Sequence, residues 1–198
     1  MIYLSGSDII TRNVYTEKMI NMQNSVGIMK SIYSVVKIIF LVVLLASTAA
    51  CQINKSQSEF YLIRHAEKQK DGTRDPKLTQ EGEARAERLV EILKGKKIDK
   101  IYSTNYQRTL STAEPLSKAK KIPIEIYDPS KLSEFSDKLK SETGIFIILG
   151  HSNTTPQLTS LLSDKKVEPM DESQYSHFYQ VILKGESSLV KKLSSDKK

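Results

Sequence analysis

The chain is poor in several residue types whose absence narrows its function. Its 198 residues include one cysteine, three histidines and no tryptophan. With Cys51 as the single cysteine, it cannot form an internal disulfide bond. It also has no internal repeat, no basic run interleaved with aromatic residues of the kind that binds nucleic acid, and no clear carboxylate-rich metal cluster. We therefore expect no nucleic-acid partner, no metal and no cofactor.

Positive charge exceeds negative charge. Thirty lysines and arginines stand against 23 acidic residues, for a net charge of +7. This surplus favours anionic partners. Most of the lysines are scattered along the sequence, as is typical of a solvated surface, so the surplus does not by itself mark a binding site.

Long apolar runs are also missing. The run from Ile38 to Ala46 is well below the roughly 20 residues that a membrane-spanning helix needs. It follows a basic stretch and precedes small residues, which predicts a signal peptide at residues 29–50 and export to the cell envelope or periplasm. Cys51, directly after two alanines, resembles the lipidated cysteine of bacterial lipoproteins and predicts a lipid anchor to the membrane. The alternative is simple cleavage that releases a soluble secreted protein.

The predicted signal peptide separates an N-terminal segment from the rest of the chain. Residues 1–28 are either a leader or the result of a misassigned start, since Met29 opens a better signal sequence. Residues 51–58 are polar and read as a tether. Residues 59–198 form one domain in which predicted strands alternate with predicted helices. That order predicts an α/β fold, a three-layer α/β/α sandwich with a mostly parallel central sheet.

Three polar motifs follow predicted strands of this domain. Arg64-His65-Ala66-Glu67-Lys68 comes after the apolar run Phe60–Ile63, residues 103–109 follow a second strand, and Gly150-His151-Ser152-Asn153 follows a third. Ligands of open α/β sheets bind at the carboxyl edge of the strands. Arginine and histidine side chains gathered there would form a pocket for a phosphate dianion.

These motifs, in this order, resemble the histidine phosphatase superfamily, which includes phosphoglycerate mutases and phosphohistidine phosphatases. The resemblance spans roughly residues 60–183. The Arg-His-Ala-Glu-Lys start and the element Leu78-Thr79-x-x-Gly82 resemble the small bacterial exported members. The resemblance implies a phosphoglycerate mutase-like fold and a small phosphorylated substrate, with phosphorylated envelope sugars as one possibility.

The side chains of the motifs suit phosphoryl transfer. We expect His65 to attack phosphorus through one ring nitrogen while the other donates to a backbone carbonyl. Arg64, Arg108 and His151 would surround the phosphoryl oxygens and stabilise the charge that develops on them. Beyond these four residues, two side chains at the start of the next predicted helix could also bind phosphate or cap that helix, namely Asn153 and Thr154.

The general acid is harder to assign. A leaving alkoxide must be protonated by a nearby carboxylic acid. Many members of the superfamily carry an aspartate directly after the second histidine, where this chain has Ser152. Glu67 and Glu134 are the two candidates, although Glu67 could instead pair with a neighbouring cation and Glu134 could lie on an exposed helix face.

The sequence therefore predicts a metal-independent phosphatase that hydrolyses phosphomonoesters through a phosphohistidine at His65. Short connections favour a phosphatase over a mutase, which must hold its phosphorylated intermediate away from water. Two alternatives remain: a non-catalytic phosphate- or phosphosugar-binding lipoprotein, and a phosphohistidine phosphatase whose substrate has a good leaving group.

Overall fold

The structure, a computed structural model, describes Met22, Met29, residues 33–40 and residues 57–196. The chain divides into two compact units, residues 1–54 and residues 55–198. In the first unit the described residues are helical, and their large apolar side chains are exposed. No helix within the described residues is long and apolar enough to cross a membrane. Most of the predicted signal peptide, and Cys51 with it, lies outside the described residues.

The second unit alternates strands and helices, which confirms the predicted α/β class. Its elements are, in order, β1 Gln57–Arg64, α1 Gln80–Ile92, β2 Lys100–Ser103, α2 Gln107–Lys120, β3 Ile124–Ile126, α3 Leu132–Ser141, β4 Ile145–Gly150, α4 Thr154–Ser163, β5 His177–Lys184 and β6 Ser187–Ser194. Strand β1 begins two residues before the predicted Glu59, inside the segment predicted as a tether.

A single six-stranded sheet runs through this unit in the order β3-β2-β4-β1-β5-β6. Strands β3, β2, β4 and β1 pair in parallel, whereas β5 and β6 are antiparallel additions at one side. The mostly parallel sheet is as predicted. The final hairpin turns at Gly185, whose φ of 61° is left-handed and suits a residue without a Cβ.

Alternate residues of the central strands face two separate apolar cores. Phe60 and Leu62 of β1 pack with α3 and α4, and Tyr61 and Ile63 pack with α1 and α2. Both faces of the sheet are thus covered by helices, which explains why β1 and β4 read as uninterrupted apolar runs. The three-layer α/β/α sandwich of the sequence prediction is confirmed.

Helix α2 differs from its prediction. A proline inside a helix predicts a kink or an early end, yet α2 continues beyond Pro115 to Lys120 and ends at Lys121 in the left-handed conformation. Ala113 and Leu116, on either side of Pro115, are buried in the core. Their packing outweighs the local cost of the proline, because tertiary burial supplies most helix stability in proteins.

The strand order brings the three polar motifs together. Strands β2, β4 and β1 are adjacent, with Arg64 opposite Gly150 and Ser103 opposite Leu149. Their carboxyl ends therefore lie at the same level of the sheet. The backbone of His65 extends this alignment, since its N–H donates to the carbonyl of Gly150 at 3.0 Å.

Candidate active site

His65 is a buried, neutral imidazole with one nitrogen fixed. Its Nδ1 lies 2.8 Å from the carbonyl oxygen of Ala66. A carbonyl can only accept, so Nδ1 carries the hydrogen and the lone pair resides on Nε2. Burial, with the nearby charges of Arg64 and Arg108, lowers the pKa of His65 to about 3. The imidazole is consequently uncharged at neutral pH, with the lone pair of Nε2 not engaged by the Ala66 contact.

His151 lies beside it, with 5.6 Å between the ring centroids. Arg108 Nη2 is 3.4 Å from His151 Nδ1, and Thr104 Oγ1 is 3.0 Å from Nε2. Because a guanidinium can only donate, Nδ1 accepts and Nε2–H donates to Thr104. Burial and the two arginines lower the pKa of His151 to about 4. Both ring nitrogens thus have protein partners, and the predicted contact from His151 to a phosphoryl oxygen stays a prediction.

Arg108 is held from three sides. Its Nη1 is 3.2 Å from Asp75, whose carboxylate also accepts from the backbone N–H of Gln107 at 3.0 Å. Its guanidinium lies 4.5 Å from the ring centroid of Tyr106. Its buried Nε has no hydrogen-bond partner among the described residues. The cation is therefore fixed in place with one donor unused.

Arg64 is also fixed, with its side chain fully buried. Its Nη1 donates to the carbonyl oxygens of Asp171 and Gln174 at 3.0 and 3.2 Å, and its Nη2 lies 3.1 Å from Glu172. The guanidinium stacks 4.1 Å from the ring centroid of Tyr175. As in Arg108, the buried Nε lacks a partner within the described part of the chain.

A cleft of about 480 Å³ opens above these groups. Of the predicted site residues it is lined by His65, Arg108, His151, Asn153 and Thr154. Basic side chains at its rim come from Lys68 and Arg74, and a carboxylate comes from Glu172.

The two polar residues before and within α4 have different roles. Thr154 is buried, and its Oγ1 accepts from the backbone N–H of His151 at 2.9 Å, so it fixes the turn that carries this histidine. Asn153 lines the cleft, and its side chain makes no capping hydrogen bond to α4. Asn153 is therefore exposed in the cleft without a capping role, whereas Thr154 is part of the scaffold, and the binding of phosphate by either residue stays a prediction.

Glu67 does not point to the cleft, in contrast to its prediction as a candidate acid. Its carboxylate accepts from Arg85 Nε at 2.9 and 3.0 Å and from Nη2 at 2.6 Å. Burial alone would raise the pKa of Glu67, but the hydrogen bonds and charge of Arg85 outweigh it and the pKa lies below its ordinary value. A carboxylate held in its charged form by a bidentate arginine is a poor proton donor.

Glu134, the other predicted acid, is also misplaced. It lies in the first turn of α3 with 76 % of its side chain exposed, and it pairs with Lys131 at 3.8 Å. It does not line the cleft. The i,i+3 spacing of this pair is that of an exposed helix face, so the surface interpretation is the one the structure favours.

Several residues of the site carried no role in the sequence prediction. Thr104 belongs to the second motif, and Thr112 lies on α2, shortly after that motif. In the structure Thr104 holds His151, and Thr112 Oγ1 accepts from the N–H of Ala66 at 3.0 Å. Tyr106 and Tyr175 flank the two histidines, with ring centroids 5.0 Å from His151 and 5.9 Å from His65 respectively.

The glycine of the Leu-Thr-x-x-Gly element also has a structural reason. A Cβ on Gly82 would lie 2.3 Å from the carbonyl oxygen of Glu67. The same carbonyl accepts from the N–H of Thr79 at 2.9 Å, and Thr79 Oγ1 caps α1 by accepting from Gly82. The start of α1 thus packs directly on the backbone that follows the nucleophile, which only glycine allows.

Comparison with known proteins agrees with this geometry. The family description "Histidine phosphatase superfamily (branch 1)" matches residues 60–136. No curated protein sequence matches the chain. Within the described residues, no three histidine, cysteine or acidic side chains are grouped to hold a metal ion.

Three solved structures illustrate the similarity of fold. The protein histidine phosphatase SixA, complexed with tungstate, has a TM-score of 0.58 at 18 % identity, covering 70 % of this chain and 97 % of its own. Phosphoglycerate mutase from Plasmodium falciparum has a TM-score of 0.51 at 18 % identity, covering 71 % of this chain and 92 % of its own. A mycobacterial glucosyl-3-phosphoglycerate phosphatase has a TM-score of 0.54 at 12 % identity, covering 70 % of this chain and 97 % of its own. These structures show that the chain has a phosphoglycerate mutase-like fold, and the match over residues 60–136 shows that this part of it is similar to the histidine phosphatase superfamily.

Proposed function

We propose that this protein is a metal-independent phosphomonoesterase that acts through a phosphohistidine on His65. One observation carries the proposal. A neutral histidine with its lone pair on Nε2 lies beside the buried Arg64 and the partly buried Arg108, and the buried Nε–H of each arginine has no partner among the described residues. Buried donors without partners are costly, and a bound anion would satisfy both of them.

The charge of the site suits a dianion. Arg64 is buried and paired with the exposed Glu172, and Arg108 is paired with the partly exposed Asp75. Both histidines are neutral, so they add no repulsion between cations. A phosphoryl group with two negative charges would receive charge-assisted hydrogen bonds from two fixed donors.

The reaction then proceeds in two steps. His65 Nε2 attacks phosphorus in line, the bond from phosphorus to the ester oxygen breaks, and its electron pair leaves with the oxygen. Water next attacks the phosphohistidine and the bond between phosphorus and nitrogen breaks, which restores His65 and releases orthophosphate. The bond from Nδ1–H to Ala66 keeps the imidazole in the reactive tautomer throughout.

Hydrolysis is favoured over mutase chemistry by the connections of the fold. The two longest connections at the site, residues 65–79 and 164–176, leave the cleft open at a rim that carries exposed residues such as Arg74. A mutase has to keep water from its phosphorylated intermediate. An open cleft admits the water that completes hydrolysis.

Turnover of 4-nitrophenyl phosphate by the purified full chain tests the proposal. We expect the wild type to hydrolyse this substrate and EDTA to leave its rate unchanged. In His65→Ala the rate should fall by roughly 1,000-fold or more, because the nucleophile is removed. Tungstate, which is bound by the structurally similar SixA, should inhibit as a phosphate analogue. Wild-type turnover that equals that of His65→Ala would refute the mechanism, and strong inhibition by EDTA would point to a metal enzyme.

A second candidate is a phosphohistidine phosphatase. Neither Glu67 nor Glu134 reaches the cleft, and substrates with good leaving groups need less help from an acid. Rapid hydrolysis of phosphohistidine peptides with no hydrolysis of alkyl phosphates would favour this candidate. Binding of tungstate with no turnover of any phosphate would instead favour the non-catalytic phosphate- or phosphosugar-binding protein.

We also propose that the protein is exported and anchored to a membrane by lipid on Cys51. The order of basic, apolar and small residues before Cys51 supports this, as do the exposed apolar side chains of the helical residues 33–40. Incorporation of a clickable palmitate should be lost in Cys51→Ser. Equal incorporation by the wild type and the variant would contradict the anchor.

A further inference from the structure

The cleft contains a carboxylate that neither predicted acid accounts for. Glu172, on the connection between α4 and β5, lines the same cleft as His65, and its side chain is 77 % exposed. Of the side chains shown to line this cleft in the described part of the chain, it is the one carboxylate. We propose that Glu172 is the general acid of the proposed phosphatase, protonating the leaving oxygen of the substrate.

Two contacts orient this carboxylate. Glu172 Oε1 accepts a short hydrogen bond from Ser152 Oγ, and Oε2 lies 3.1 Å from Arg64 Nη2. Ser152 follows the second histidine of the site directly in sequence. A serine hydroxyl cannot protonate an alkoxide efficiently, but here it holds a group that can.

The connection that carries Glu172 is anchored to the floor of the site. Arg64 Nη1 binds the carbonyl oxygens on both sides of it, those of Asp171 and Gln174, and the Arg64 guanidinium stacks on Tyr175. An exposed glutamate on such a segment keeps a defined position relative to His65. Pre-organisation of this kind is what an acid needs in order to act in the transition state.

In-line attack fixes where the acid must lie. With His65 attacking from the buried side, the leaving group departs from the opposite side of phosphorus, toward the open mouth of the cleft. Glu172 is at that mouth, whereas the carboxylate of Asp75 accepts from the backbone N–H of Gln107 through both of its oxygens and pairs with Arg108. The position of Glu172 is therefore the one that a leaving oxygen would approach.

The proton transfers balance over the two steps. When the bond from phosphorus to oxygen breaks, the leaving oxygen takes the proton of the Glu172 carboxyl group. Glu172, now a carboxylate, accepts a proton from the water that attacks phosphohistidine, and the cycle closes. A bound dianion would compete with the Glu172 carboxylate for the donors of Arg64.

A comparison of two leaving groups tests the inference, which rests on the proposed function. For Glu172→Gln we expect kcat/KM on glycerol 2-phosphate to fall at least about 100-fold, and on 4-nitrophenyl phosphate to fall by less than about 3-fold, because a phenolate leaves without protonation. Glu168→Gln, an exposed glutamate of the same connection that pairs with Lys166 at 3.0 Å, is the matched control and should leave both rates unchanged.

The outcomes separate this inference from the proposed function. Equal losses on both substrates would show that Glu172 only positions Arg64, and unchanged hydrolysis of glycerol 2-phosphate would show that it has no role; either result overturns the inference. Absence of wild-type hydrolysis of glycerol 2-phosphate while 4-nitrophenyl phosphate is hydrolysed would also overturn it, since no acid would then be at work. Failure of the proposed function itself would appear as wild-type turnover of 4-nitrophenyl phosphate no faster than that of His65→Ala.

Discussion

Two arginine–glutamate pairs flank His65, and they differ in what surrounds the glutamate. In one, Arg85 and Glu67 approach to 2.6 Å with 8 % and 14 % of their side chains exposed. In the other, Arg64 and Glu172 lie 3.1 Å apart with 0 % and 77 % exposed. The first glutamate is closed off by protein, and the second opens to the cleft. The same pair of residue types is thus closed off by protein on one side of His65 and open to the cleft on the other.

The closed pair links three parts of the fold. Arg85, on α1, binds Glu67 directly after the nucleophile motif and also binds Ser195 and Asp196 beyond β6, each at 2.9 Å. Loss of Arg85 would leave Glu67 as a largely buried charge without its partner. Removing one partner of such a buried pair lowers stability by more than the intact pair contributes, because the other charge is left buried and unpaired.

The largest effect is expected from Arg85→Ala. Its free energy of unfolding should fall by about 3–5 kcal/mol, because the carboxylate of Glu67 is left unpaired. Urea unfolding measures the loss, and Arg88→Ala is the control, since Arg88 makes a single contact to the carbonyl of Ser195 at 3.2 Å and should cost about 1 kcal/mol. Equal losses in the two variants would show that water reaches Glu67 and that the pair is not closed.

Glu67→Gln tests the same pair from the acidic side. The amide keeps the shape but loses the charge, so we expect stability to fall by about 1–3 kcal/mol. The ratio of kcat/KM for 4-nitrophenyl phosphate to that for glycerol 2-phosphate should stay as in the wild type. A selective loss on glycerol 2-phosphate would reverse the roles assigned to the two glutamates.

The nucleophile between the pairs should make stability depend on pH. Burial lowers the pKa of His65 to about 3, against an ordinary value of 6.5, so between these values the unfolded chain binds a proton that the folded chain does not. Stability is therefore lost as the pH falls through this window, by about 1.4 kcal/mol per pH unit from this residue. Urea unfolding at pH 7, 6 and 5 gives the free energy of unfolding as a function of pH. This free energy should depend less steeply on pH in His65→Gln than in the wild type, and an equal dependence in both would contradict a neutral buried imidazole.

The smallest effect is expected from Arg74, an exposed arginine at the rim of the cleft. Unlike Arg64 and Arg108, which have fixed partners, it is expected to act through screened charge alone. Arg74→Ala should raise KM for a phosphomonoester by about 3-fold at low salt, with kcat unchanged and the difference lost at roughly 0.5 M salt. A salt-independent change would show a direct contact with the substrate.

The sequence was informative where short-range pattern governs structure. The apolar runs of β1 and β4 predicted buried parallel strands, and the polar residues after them predicted a common edge, because parallel strands of one sheet end together. Residues 64, 108 and 151 could therefore be assembled without coordinates. The hydrogen bond from His65 to a backbone carbonyl was expected on the same chemical grounds.

The partners of charged side chains could not be predicted from the sequence. Arg85 reads as a polar residue of α1, and nothing in the local pattern shows that it meets Glu67 and the end of β6. Glu172 lies in a segment without hydrophobic periodicity. The path of this segment is fixed by hydrogen bonds from Arg64, which is more than 100 residues away in the sequence. Long-range pairs of this kind depend on the packed fold, so the sequence pointed to two glutamates that do not line the cleft.

The central claim is a covalent phosphoryl group on His65, and trapping it is the most direct test. The full-length wild type is mixed with ³²P-labelled 4-nitrophenyl phosphate, quenched with alkali within milliseconds and digested. The account predicts an acid-labile label on the peptide that contains His65, and no label in His65→Ala. Label on another residue, or turnover by the wild type with no trapped label and undiminished turnover by His65→Ala, would contradict it.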